Sequence, residues 1–199
     1  NAALRALNKL PKQLRRIIAP ALSKRLFKYG DPQSAAAALR SIDRIAAPPT
    51  TDAMMAKVEL DLNDGSPVNS SLEVVINAND AQSPQALVAF VEEKLIRNQN
   101  LSHETAALAS AYAKEFRGTS LGRELMKTEV SALSQAGQFE KAFEALEKLE
   151  PSLSLEATIR LREIVFAQLT KRANDVVFLE HAFSRNDDYF SKLPDNLNI

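Results

Sequence analysis

The 199-residue chain contains no cysteine and no tryptophan, only two histidines, and few glycines. Without thiols there can be no disulfide, thiolate metal ligand, iron–sulfur cluster or cysteine nucleophile. A cysteine-free chain is stable in either redox environment, so the compartment stays open. His103 and His181 lie far apart and neither falls in an H-E-x-x-H arrangement, which excludes a two-histidine zinc site on one helix. Five glycines and nine prolines are too few for a collagen-like or low-complexity chain. No apolar run approaches the ~20 residues needed to span a bilayer.

Motifs of catalysis are equally sparse. There is no glycine-rich phosphate loop and no G-x-S-x-G elbow. The stretch 61–65, Asp-Leu-Asn-Asp-Gly, resembles a calcium loop only at a glance. With Gly65 sixth, the first and third ligand positions would be Leu60 and Leu62; with Asp61 first, the sixth and twelfth would be Ser66 and Leu72. Neither register supplies the ligands, so the stretch reads as a polar turn. His103 reads as first-turn surface and His181 as a partly exposed polar residue beside Glu180. Asn69 and Asn100 open glycosylation sequons, a pattern that means little without a secretory context. The expectation is no enzyme activity, no bound metal and no cofactor. The opening Asn1-Ala2, without Met, reads as a tag remnant on an excised segment, to which an upstream signal peptide or anchor would be invisible. Exported and cytoplasmic settings both stay open.

What the chain does have is a recurring stop. Gly30, Gly65, Asn100, Gly137 and Asn174 stand 35, 35, 37 and 37 positions apart, each between two amphipathic stretches. Gly and Asn tolerate the left-handed backbone on which helices end in tight turns. A period of this size marks stacked helix pairs. The start signals agree. Asp31-Pro32, Ser66-Pro67 and Ser83-Pro84 pair a capping side chain with proline at the first helical position. Ser102, Ser120 and Ser154 are further caps, and Gly118 a further stop.

Five helix pairs follow: 12–29, broken or kinked at Pro20, with 32–46; 52–62 with 67–77; 84–97 with 103–117; 121–136 with 139–149; and 155–172 with 176–185. A short helix over 2–8 precedes them. Residues 1–186 form one repeat domain and 187–199 an irregular tail. Only 72–76 could be argued as a strand. The periodicity is clearest over 139–149, where Phe139, Ala142, Phe143, Leu146 and Leu149 form one stripe and Glu140, Lys141, Glu144, Glu147 and Lys148 the other.

In that unit Gly137, Phe139, Ala142 and Leu146 resemble the middle of a tetratricopeptide repeat. Gly30, Ala35 and Leu39 match in part, with Pro32 in place of the aromatic; Ser70 and Val74 match in the second unit. The family's Trp and second Gly in each first helix are missing throughout. The resemblance implies an all-α, right-handed solenoid whose concave face, built from first helices, holds a protein or peptide partner.

Charge is segregated although the formal net is zero. Before Asp31 stand Arg5, Lys9, Lys12, Arg15, Arg16, Lys24, Arg25 and Lys28 with no acid; between Lys57 and Lys94 stand Glu59, Asp61, Asp64, Glu73, Asp80, Glu92 and Glu93 with no base. One reading is solvated helix faces, with the basic end neutralised elsewhere in the fold. The sharper reading makes Lys12, Arg15, Arg16, Lys24, Arg25 and Lys28 a contact for an acidic partner or membrane surface. Glu59, Asp61, Glu92 and Glu93 then form a second surface for basic ligands. A structural or membrane-proximal spacer role within a larger protein is the alternative to partner binding. Nucleic acid is not expected, since the pI is near 7 and only Phe27 and Tyr29 interleave the basic stretch.

Overall fold

The computed structural model describes residues 2–43 and 48–172, together with Ser184. Among these residues the fold is all-α, with no strand. Ten helices follow one another: α1 (Ala2–Lys9), α2 (Lys12–Lys28), α3 (Pro32–Asp43), α4 (Thr51–Asn63), α5 (Asn69–Asn77), α6 (Ser83–Ile96), α7 (His103–Glu115), α8 (Ser120–Gln135), α9 (Phe139–Leu149) and α10 (Leu155–Arg172). The segments expected at 176–185 and 187–199, and the turn at Asn174, lie outside the described residues apart from Ser184. The chain divides into two compact units, 1–90 and 91–199.

Four helix ends share one hydrogen-bond pattern. Beyond α2, the Asp31 N–H donates to the Leu26 carbonyl at 3.0 Å and the Gly30 N–H to Phe27 at 2.9 Å. The same pair of bonds recurs around Gly65, Asn98 and Gly137, with φ of 76°, 70°, 57° and 77° at the four pivots. They recover carbonyls that a helix terminus would otherwise leave unsatisfied. The third pivot is Asn98, not Asn100: α6 closes at Ile96, and after Asn98 three further residues carry the chain to the Ser102 cap. A shorter turn at Gly118 (φ 90°) and another at Asn79 (φ 50°) end α7 and α5.

The starts are mixed. Thr50 accepts from the Ala53 N–H and Ser102 from the Thr105 N–H, as caps should. The cap of α8 is Thr119, not Ser120; its hydroxyl accepts from the Gly122 N–H at 2.8 Å and donates to the Phe116 carbonyl at 2.8 Å, tying both helices to one turn. Ser66-Pro67 opens no helix. The Ser66 N–H closes α4 on the Asp61 carbonyl, and α5 begins only at Asn69, without a side-chain cap. The 72–76 stretch lies inside α5. Pro20 sits buried within an unbroken α2.

In the first unit, α2 packs on α3 and α4, α3 on α4, and α4 on α5, with α1 against α2 and α3. Ala19, Ala35 and Ala38 are fully buried there, and small side chains let helix axes come close. The buried Ser23 hydroxyl donates across to the Ala35 carbonyl at 3.0 Å. In the second unit, α8 packs on α7, α9 and α10, and α9 on α10. Its core is heavier: Val130, Phe139, Phe143, Leu146, Leu161, Val165, Phe166 and Leu169 form one buried cluster. Each Leu, Val or Phe there contributes about 1.5–3 kcal/mol by burial. Within each unit one run of three helices shares a contact pattern: α2 touches α3 and α4 while α3 leans on α4, and α8 touches α9 and α10 while α9 leans on α10. This packing is compatible with a helical repeat.

Candidate functional site

The second unit holds a cavity of about 1140 Å³. Its first wall is one stripe of α7: His103, Ala107, Ser110, Ala111 and Lys114, continued by Arg117 just past the helix end. Three- and four-residue steps put these on one side of the helix, and the small residues in the middle keep the wall low. The floor is α8, through Met126, Glu129 and Leu133. The second wall is α9 and its entry, through Gln138, Lys141, Glu144, Ala145 and Lys148. Because α7 and α9 each pack on α8, the helix between them sits lower and leaves a channel. A site of this volume exceeds the roughly 300–1,000 Å³ of small-molecule pockets.

Its electrostatics are lopsided. Four Lys and Arg side chains line it against two glutamates. Lys148 pairs with Glu144 at 3.7 Å, and Lys141 donates to the Gln138 side-chain oxygen at 2.9 Å. Lys114 and Arg117, both exposed, make no ion pair among the described residues. The channel therefore carries net positive charge over a floor whose apolar part is Met126 and Leu133.

None of the ten residues singled out by charge lines this channel. The fold instead brings some of them together. Lys24 faces Glu59 at 3.9 Å, so the basic stretch and the acidic stretch partly neutralise each other. Burial raises the Glu59 pKa, and the Lys24 charge offsets only part of that. Asp61 pairs with Lys57 at 3.1 Å. Glu93 is buried and bonded to Arg97 one turn later, which withholds it from solvent. Partial desolvation raises the Glu92 pKa, as does the Glu124 carboxylate, while Arg160 and Lys127 act the other way. The Arg16 guanidinium donates to the Pro48 carbonyl at 2.7 Å. Arg15 is half-buried, with its Nε unsatisfied. Lys12, Arg25 and Lys28 stay exposed, with the Arg25 guanidinium 6.0 Å from the centre of the Tyr29 ring.

His103 is an exposed first-turn residue of α7 that also faces the channel; His181 lies outside the described residues. Residues 61–65 are the end of α4 and its turn. Among the described residues, no group of three or more His, Asp or Glu side chains is placed to hold a metal ion, and no helix is long and apolar enough to cross a membrane. One signal in the sequence could have located the channel: the α7 stripe of small residues ending in Lys114 and Arg117 has no apolar side chain larger than alanine, unlike a core-facing stripe. No protein-family model matches the chain, and comparison with curated proteins and with solved structures returned no match.

Proposed function

We propose that this protein is a non-catalytic binding module of the helical-repeat kind, similar to tetratricopeptide arrays, and that the α7–α8–α9 channel holds an acidic peptide segment of a protein partner. The observation that carries this reading is the pairing of a partly apolar floor with Lys114, Arg117 and Lys141, cations that have no carboxylate partner among the described residues. An occupant with one or two apolar anchors and flanking Asp or Glu would bury the floor and supply the missing counter-charges. The contact pattern shared by α2–α3–α4 and α8–α9–α10 supports the repeat reading. The proposed seat differs from the face the resemblance implies, since its walls are second helices and a first helix is its floor.

The test is a titration of the purified chain, by fluorescence anisotropy, with a labelled acidic peptide carrying leucine anchors and with its Lys/Arg counterpart. The acidic peptide should bind, and the basic one at least tenfold more weakly. The double variant Lys114→Glu/Arg117→Glu, both residues being exposed, should weaken the acidic peptide by about tenfold or more at low salt. Equal binding of the two peptides, or indifference to the double variant, would overturn the assignment.

A further inference from the structure

A second surface lies on α2, in the first unit. Leu14, Ile17, Ile18, Ala21, Arg25 and Lys28 recur at three- and four-residue steps and are all exposed. Ile17 is 73% exposed, an unusual position for a branched aliphatic side chain. The opposite side of the same helix is spent on the fold, through Ala19, Pro20 and Ser23. The outer face is thus apolar over its first two turns and basic over its last two. Tyr29, 74% exposed, closes the row beneath Arg25. Arg5, Lys9 and Lys12 add exposed positive charge nearby in sequence, and no acid precedes Asp31.

We propose that this face of α2 docks on an anionic membrane surface. Charge complementarity decides the occupant. A second copy of this chain would set Arg25 and Lys28 against their own counterparts, which like-charge repulsion opposes. A lipid surface meets both halves of the face at once. The aliphatic side chains enter the boundary between headgroups and acyl chains, while lysine and arginine reach the phosphates on flexible stems. Tyrosine is at home at that depth. The face is one helix's convex exterior, which suits a fluid surface better than a partner that needs a recess. The proposal is independent of the α7–α8–α9 channel and stands or falls separately.

The experiment is flotation of the full chain with vesicles of phosphatidylcholine alone and of phosphatidylcholine mixed with phosphatidylglycerol. Wild-type protein should float with the mixed vesicles only, and added salt should weaken it. Ile17→Asp should lower partitioning roughly tenfold by removing the most exposed anchor and adding a repelled charge. Arg25→Gln/Lys28→Gln should lower it about thirtyfold at low salt. Far-UV circular dichroism should be unchanged in both variants, because all three side chains face solvent; Leu14→Asp is the substitute for either if it is not. Absence of flotation, flotation indifferent to these changes, or equal flotation with neutral vesicles would each overturn the proposal. So would capture of polyglutamate by this face without any vesicle binding, which would make it a protein contact.

Discussion

The Arg162 guanidinium grips Glu150 with two nitrogens, Nε at 2.8 Å and Nη2 at 2.6 Å from the same carboxylate oxygen. Arg162 is 8% exposed, so α10 is fastened to the end of α9 by a largely buried ion pair. Removing one partner strands the other charge in a poorly solvated site. Glu150→Gln should therefore cost about 2 kcal/mol in urea unfolding. Glu150 keeps a solvent-facing side, which holds the loss below the roughly 3–5 kcal/mol of a fully buried pair. A midpoint shift indistinguishable from zero would mean the pair is decorative.

Gly122 has no room for a side chain. A Cβ placed there would lie 1.9 Å from the Phe116 carbonyl oxygen, a backbone atom held by the Thr119 hydroxyl. Gly122→Ala should destabilise by about 2–4 kcal/mol. Gly65→Ala meets nothing within 4 Å and has only its φ of 70° to overcome, so it should cost about 1 kcal/mol. If the two variants unfold at the same urea concentration, the turn between α7 and α8 is looser than described.

Asn98 does with an L-residue side chain what glycine does at the other three pivots. Its φ is 57°, and the Lys171 ammonium donates to its side-chain oxygen. Asn98→Ala should lose about 1 kcal/mol or more, whereas Asn98→Gly should stay within about 0.5 kcal/mol of wild type. Thermal melts of the three proteins order them directly.

The α6 start has a pH signature. Asp80 accepts from the Thr51 hydroxyl at 2.5 Å and from the Gln82 N–H at 2.9 Å, which holds its pKa below the usual value. A depressed folded-state pKa gives stability that is present above the unfolded pKa and lost as pH falls through the folded one. Glu59 and Glu92 run the other way. Their raised pKa values cost stability at neutral pH, and that cost is relieved as pH drops through the raised values toward 4.5. Glu92→Gln should therefore be more stable than wild type at pH 7, with the gap closing on acidification. Asp80→Asn should show its deficit at pH 7 and converge below pH 3.8. Urea midpoints between pH 3 and 7 separate the two behaviours; parallel curves would refute both assignments.

Much of the helical framework was legible because its signals are local. Phe139–Leu149 and Leu155–Arg172 match their expected bounds, and three of the four pivots are the glycines that the recurrence picked out. The misses have local causes. Ser66-Pro67 looks like a start, but Ser66 is consumed in closing α4. Thr119 outbids Ser120 because Gly118 turns the chain one residue earlier. The channel was missed for a different reason, since only the small-residue stripe of α7 hints at it in the sequence. It needs Ala107, Met126 and Lys141 to meet across three helices, and nothing in a linear charge count places them together. The same count could not reveal that Lys24 and Glu59 would neutralise one another, or that Glu93 would be buried.

The most direct test of peptide binding uses the missing cysteines. Ala111 is exposed on the α7 wall, so Ala111→Cys gives a single thiol for an environment-sensitive dye. Titration with the acidic, leucine-anchored peptide should produce a saturable blue shift as the dye is covered. That shift should disappear in the Lys114→Glu/Arg117→Glu background. A dye that reports nothing while the peptide binds elsewhere, or one that responds equally to the basic peptide, would contradict the account.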